Sequence, residues 1–504
     1  MTFVLYTLVL GALSAFAFEP VGLWPLLPVA FGLLCEIIWR SRKLWQGILV
    51  GWAFGFGQFV VGLNWIATAF TYQAKMPPSL GWLAVVLLSI YLAVYPAIAT
   101  GLAWRFGRDN RVALLLVFGG AWTLTEWLRG TMFTGFPWNP AAVVLVPTPL
   151  LGIAPLIGTY ALSGLVVLLG GAVWLEYHRK WLPLVAIFGT TAVMWVLPSS
   201  AVPPDPLAVR NIHIVQPNIG QEVKWRPGLT EEAFNRLARL SAGGPSPRLL
   251  FWPEVAVPEE FQILDQKRRP LEVALPAIPH AVQSIHPGDL LLTGAFALIV
   301  NAQGAVVGNT NSVFALDPTG RILGRYDKAH LVPYGEYLPM RPLLSAIGIS
   351  QLAPGQGDTS YGPGPRTIDL GDTWGKVGLQ VCYEIIFSGQ VVDEKDRPGF
   401  IFNPSNDAWF GRWGPPQQLA QARLRASEEG LPVLRSTPTG ISAVIDGRGQ
   451  VVKELPWRTA GAIDTVLPPP ANAPTPFARL GNAIPLFLGF AFVAAGIVLS
   501  RKRR

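Results

Sequence analysis

Long apolar runs fill positions 1 to 200 of the chain and another spans 483 to 500, and no other feature restricts its fold as tightly. Crossing a hydrocarbon core of about 30 Å takes roughly 20 largely apolar residues in a helix, which satisfies its own backbone there. Candidate spans begin near Thr2, Leu23, Gly47, Leu80, Val112, Gly158, Trp181 and Leu480, eight in all. The fifth is the weakest, because Trp122, Glu126 and Arg129 follow its apolar part and the Pro- and Gly-rich stretch "FTGFPWNPAAVVLVPTPLLG" comes next. That region reads as readily as a re-entrant or interfacial segment. Composition agrees with a membrane protein: 51% of residues are hydrophobic, 14% are charged and mean hydropathy is +0.38.

Basic residues assign the sides, since cytoplasmic loops carry an excess of Lys and Arg. Clusters follow the second span (Arg40, Arg42, Lys43), the fourth (Arg105, Arg108, Arg111), the sixth (Arg179, Lys180) and the eighth (Arg501 to Arg504). Both termini are then expected in the cytoplasm, with segment 209–466 on the far side of the membrane. The same clusters supply much of the net charge of +8, so this charge does not point to nucleic acid. "SAFA" near the start resembles a cleavage site, but no Lys or Arg precedes the first apolar run, which favours a retained helix.

The 209–466 segment has mixed polarity and reads as one α/β domain. Strand-like runs recur as "NIHIVQ", "RLLFWPE", "LLLTGAFALIV", "SVFALD", "VGLQVCYE", "FIFNPS" and "ISAVIDG". Hairpins are expected at Pro318 to Gly320 and at Gly447 to Gly449. "TEEAFNRLARL" sets Ala233, Phe234, Leu237 and Leu240 on one helical face, and "PPQQLAQARLRASEE" opens with prolines suited to a first turn. A Pro-rich linker at 467–479 leads to the last span, 480–500. The segment holds one cysteine, so it forms no internal disulfide.

Three polar residues fall at or just beyond apolar strands, where α/β folds place reacting groups: Glu254, Lys328 and Cys382. Singly, each reads equally well as a loop carboxylate, a surface charge and a packed thiol. Together they divide one reaction. A thiol becomes a strong nucleophile as thiolate; Glu254 can take its proton, and Lys328 can stabilise the thiolate and an acyl oxyanion. No histidine shows a metal-ligand or Cys-protease pattern, and His330 reads as structural. Gly/Pro stretches lack the Lys and helix of a phosphate-binding loop, so no cofactor and no metal are expected.

In that order, "WPE", "YDKAHLVPYGEY" and "VCYE" resemble the Glu-Lys-Cys triad of the nitrilase superfamily, whose domain is an α-β-β-α sandwich. The flanking spans with "QPNI", "KW", "HLVPYGEY" and "NPSNDAWFG" resemble its membrane-embedded branch, the bacterial apolipoprotein N-acyltransferases, over essentially the whole chain. The resemblance implies Cys382 as nucleophile, Glu254 as base and Lys328 as oxyanion stabiliser, with Glu336 a second essential carboxylate. Trp225, Tyr383 and Glu384 match supporting positions of that family. It also implies a phospholipid acyl donor, typically phosphatidylethanolamine, a diacylglyceryl-modified apolipoprotein acceptor, and location in the bacterial inner membrane with a periplasmic catalytic domain. "LPMRPLLSAIGISQLAPG" is apolar enough to form a membrane-facing lid, or a loop packed on the domain. A tethered amidohydrolase would use the same thioester; a transporter is disfavoured by the few charges inside the spans.

Overall fold

The computed structural model describes residues 2–72, 77–178, 210–221, 228–256, 259–346 and 359–501. The span expected from Trp181 and the side chain of Trp225 lie outside them. Among the described residues, five helices are long and apolar enough to cross a membrane: Leu44–Gly62, Leu80–Gly107, Arg111–Thr131, Pro149–Tyr177 and Ala483–Arg501. Shorter apolar helices, Thr2–Ser14 and Leu26–Arg40, pack in the same bundle. The chain is a multi-pass membrane protein. Its bundle core is aromatic, with Phe31 in edge contact with Trp122 at 4.7 Å and with Phe118 at 6.0 Å.

The fifth region, open between spanning and interfacial in the sequence, is one continuous helix, Arg111–Thr131. Its polar Glu126 and Arg129 are only 5% and 3% exposed, so the bundle interior takes them and not lipid. The stretch after it forms two short 3₁₀ turns, Ala141–Leu145 and Pro149–Ile153, largely buried against the bundle. The final span begins at Ala483, because Gly481 (φ 53°) ends a separate short helix, Pro476–Leu480, within the Pro-rich stretch.

Segment 210–466 folds into two mixed sheets. The first sheet holds β1 (Asn211–Gln216), β2 (Arg248–Phe251), β3 (Glu260–Leu264), β4 (Leu290–Val300), β5 (Val306–Leu316) and β6 (Ile322–Asp327). Its order is β13-β1-β2-β4-β5-β6, with β13 (Gly461–Val466) at one edge and β3 also paired to β4. The second holds β7 (Thr367–Asp369), β8 (Lys376–Leu379), β9 (Phe400–Pro404), β10 (Val433–Ser436), β11 (Ser442–Ile445) and β12 (Val451–Leu455), in the order β12-β11-β10-β9-β8-β7. Strands β1, β2 and β4 run parallel, as do β8, β9 and β10, while the turns at Thr319 and Arg448 close antiparallel hairpins.

Alternation of side chains gives each strand two apolar faces. Ile214, Phe251, Leu292 and Val313 meet Leu379, Phe402, Leu434 and Val444 between the sheets, with Phe251 and Phe402 rings 4.8 Å apart. The other face of the first sheet is covered by helices Leu229–Ser241 and Ala277–Val282. The other face of the second is covered by helix Gly414–Glu429, whose far side lies on the membrane bundle beside Trp65 and Trp138. An α-β-β-α sandwich results, and one of its outer helices is shared with the membrane domain.

Candidate active site

β6 is antiparallel to β5, which is antiparallel to β4, so β2, β4 and β6 all end at the same edge of the sandwich. Glu254 follows β2, Lys328 follows β6 directly, and Cys382 follows β8. At Gly294 on β4 a Cβ would sit 2.7 Å from both the Glu254 Cα and the Val255 amide nitrogen, so only glycine lets the Glu254 turn approach the sheet. Lys328 is fixed by its own N–H, which donates to the Asn311 carbonyl at 2.8 Å. Cys382 has φ 52°, a left-handed backbone that costs a residue with a Cβ about 1–3 kcal/mol and clusters at functional sites. The 3₁₀ turn Cys382–Ile386 holds it there.

The side chains converge. Lys328 Nζ lies 2.9 Å from Glu336 Oε1 and 3.5 Å from Glu254 Oε1, and the lysine side chain is 1% exposed. Burial disfavours the ammonium, yet Glu336, Glu254 and Cys382 together outweigh it and hold the Lys328 pKa above its ordinary value. Glu336 Oε2 accepts from the Val332 N–H at 2.9 Å, which fixes that carboxylate. Cys382 is buried; desolvation, with Glu254 adding to it, pushes its thiol pKa up, and Lys328 pulls it back only in part. The resting site therefore pairs a protonated thiol with an ammonium held by Glu254 and Glu336. A carboxylate beside a protonated thiol is a base in waiting.

Glu384 is buried and faces backbone, not open space. Its Oε1 accepts from Tyr326 Oη (2.8 Å) and from the N–H groups of Ala329 (2.7 Å) and His330 (2.9 Å), and its Oε2 accepts from the Val381 N–H (2.7 Å). One carboxylate thus ties the turn carrying Cys382 to the loop carrying Lys328. Tyr383 points away from the thiol and donates to the Gly135 carbonyl of the membrane domain at 3.2 Å. His330 stacks on Phe387 with ring centroids 3.7 Å apart and bonds the Thr134 carbonyl at 2.6 Å, and burial keeps its pKa low.

Sequence reading missed four participants. Asn311 on β5 donates through Nδ2 to Glu254 (2.7 Å) and to Glu336 (3.0 Å), bridging the carboxylates. Gln418 reaches Cys382 Sγ at 3.8 Å and receives Arg435 at 3.0 Å, and Arg435 is itself paired with Asp407 at 2.6 Å. No sequence signal separates Asn311 from its polar neighbours in "NTNSVF". The apolar stretch after Glu336 begins with buried Leu338, then exposes Met340 (66%) and Leu343 (62%) around a short helix, Arg341–Ala346; Ile347 and Ile349 lie outside the described residues. Among the described residues no group of His, Cys, Asp or Glu is arranged to hold a metal ion.

A four-layer sandwich with a carboxylate, an ammonium and a thiol at common strand ends, mounted on an apolar helical bundle, defines a membrane-held nitrilase-like protein. Residues 207–470 match the carbon-nitrogen hydrolase family and residues 10–172 match the apolipoprotein N-acyltransferase N-terminal domain. Apolipoprotein N-acyltransferase of Rhodopseudomonas palustris is 34% identical, aligned over 98% of this chain and 94% of that protein. The protein of the same name from Nitrosomonas europaea is 33% identical over 98% and 97% of the two chains. The chain belongs to the apolipoprotein N-acyltransferase family. Among solved structures, Saccharomyces cerevisiae Nit3, of branch 10 of the nitrilase superfamily, is 18% identical with TM-score 0.38, covering 52% of this chain and 91% of that one.

Proposed function

We propose that the protein transfers an acyl chain from a phospholipid, through a thioester on Cys382, to the α-amine of an N-terminal S-diacylglyceryl-cysteine. Glu254 takes the Sγ proton as sulfur attacks the sn-1 ester carbonyl, and Lys328 stabilises the oxyanion. The tetrahedral intermediate collapses, its C–O bond breaks, and the lysophospholipid oxygen leaves with the proton held by Glu254. The acceptor amine then attacks the thioester, passes a proton to Glu254 and releases the thiol, leaving an amide. Glu336 holds Lys328 in place, and Tyr383 and Glu384 position the turn. Trp225 is assigned to the substrate path. The catalytic domain works on the periplasmic side of the inner membrane with both termini cytoplasmic, as the basic clusters at Arg40 to Lys43 and Arg105 to Arg111 favour.

The observation that carries this reading is the buried Lys328 ammonium, in ionic contact with Glu254 and Glu336 and acting on the Cys382 thiol, in a domain seated on apolar helices. Intact-mass measurement after incubation with phosphatidylethanolamine tests it. The native protein should gain one acyl group that Cys382→Ala cannot acquire. Added diacylglyceryl-peptide should then discharge the adduct as N-acyl peptide; release solely as free fatty acid would replace transfer with hydrolysis.

A further inference from the structure

Glu126 and Arg129 have no part in the chemistry above, yet they are the charged pair buried deepest in helix Arg111–Thr131. Arg129 Nη1 donates to two backbone carbonyls of the following loop, Phe136 at 2.8 Å and Trp138 at 2.9 Å. Its other nitrogen lies 3.6 Å from Glu126 Oε1, and that oxygen accepts the Ala141 N–H at 2.9 Å. Both ends of segment 136–141 are thereby pinned to one turn of a membrane helix.

What the pinned loop touches is the active site's immediate neighbours. Thr134 O bonds His330, two residues after Lys328, and Gly135 O accepts from Tyr383, one residue after Cys382. Trp138 Nε1 donates to Gln417 at 2.7 Å, one residue before the glutamine that reaches the sulfur. A buried loop with this much backbone polarity needs fixed partners, and one guanidinium nitrogen, Nη1, supplies two of them.

We infer that Arg129, seated by Glu126, is a positioning residue for acyl transfer: it sets the loop against which the Lys328 and Cys382 turns register. The inference rests on the proposed acyl transfer, and it assigns the membrane helix a part in catalysis beyond anchorage. Small displacements of reacting groups cost up to roughly 100-fold in rate.

The test is the rate and final stoichiometry of acyl-enzyme formation from phosphatidylethanolamine in the full-length, detergent-solubilised protein. Arg129→Met alone would strand a buried carboxylate, so it is made with Glu126→Gln. The double variant should still reach one acyl group per chain, with half-saturation unchanged, but about 10- to 100-fold more slowly. Arg129→Lys, which keeps the charge but loses the planar guanidinium, should fall between. Tyr383→Phe placed on the double variant should cost less than it does in the native protein, because both act through the same loop. A native rate in the double variant overturns the inference, and so does a fall in stoichiometry with the rate per active chain preserved, which is loss of fold alone. No adduct on the native protein removes the transfer reading itself, and the positioning role with it.

Discussion

Lys328 keeps its charge between two carboxylates, and this decides which proton moves when the thiol reacts. Glu336 is tied to a backbone N–H and to Lys328, whereas Glu254 shares Asn311 and Lys328, and its charge opposes ionisation of the Cys382 thiol. Burial and Glu254 raise the thiol pKa and Lys328 lowers it, so removing either charge should move the thiol in a definite direction. For a raised pKa, thiolate accumulates only above the ordinary value, so alkylation of the native thiol by iodoacetamide should still be rising at pH 9, the ordinary thiol pKa. Glu254→Gln should shift that profile to lower pH and Lys328→Met to higher pH, while both abolish acyl-adduct formation. Intact mass against pH follows all three proteins, and shifts of the same sign in the two variants would discard the assigned charges. Glu254 and Cys382 stood out as candidates because each follows an apolar run, and Lys328 because it follows a strand of mixed polarity. Asn311 did not: in "NTNSVF" it is one of four consecutive polar residues, and only the fold brings two carboxylates to it.

Helix Gly414–Glu429 shows how an element can be recognised while its surroundings stay hidden. Its opening prolines mark a first turn, but Gln417, Gln418, Gln421, Arg425, Glu428 and Glu429 give it the composition of a solvated helix. Every one of those six is buried, because each face meets a polar partner on the sandwich or the bundle. The sharpest case is Glu428. At Gly158 (φ 72°, ψ 173°) helix Ala154–Tyr177 is interrupted, which exposes the Thr159 N–H at a fresh helix start, and Glu428 Oε1 accepts it at 2.5 Å. The carboxylate also accepts from Ser388 at 2.8 Å and pairs with Arg425 at 3.1 Å. A buried anion at a helix N-terminus is favoured by the dipole, and its loss leaves Arg425 uncompensated. Glu428→Ala should destabilise the protein by about 3–5 kcal/mol. Thermal unfolding in detergent reads this as a lowered midpoint, and an unchanged midpoint would show that the domains do not depend on this contact. The span expected from Val112 was the least secure for the same reason, since nothing in one sequence shows that Glu126 and Arg129 have loop carbonyls and amides to meet.

For the molecule as a whole, the decisive quantity is the cost of moving an acyl chain through water, about 0.8 kcal/mol per methylene. A sandwich whose outer helix packs into the membrane bundle is held beside the bilayer, which for the proposed reaction avoids that transfer. The arrangement serves the proposed reaction only if the sandwich and the basic loops lie on opposite sides, which makes sidedness a test of the entire reading. Cys35 is fully buried, and the test is made with Cys382→Ala in place, so neither native position competes with an introduced surface thiol. Val306 is 53% exposed on the sandwich, and Arg42 is exposed in the first basic loop. In cells with a permeabilised outer membrane and an intact inner one, a membrane-impermeant maleimide should modify Val306→Cys and spare Arg42→Cys. Lysing the cells should make both reactive. Modification of Arg42→Cys before lysis, with Val306→Cys protected, would turn the catalytic domain to the cytoplasm, away from any acceptor displayed on the outer leaflet.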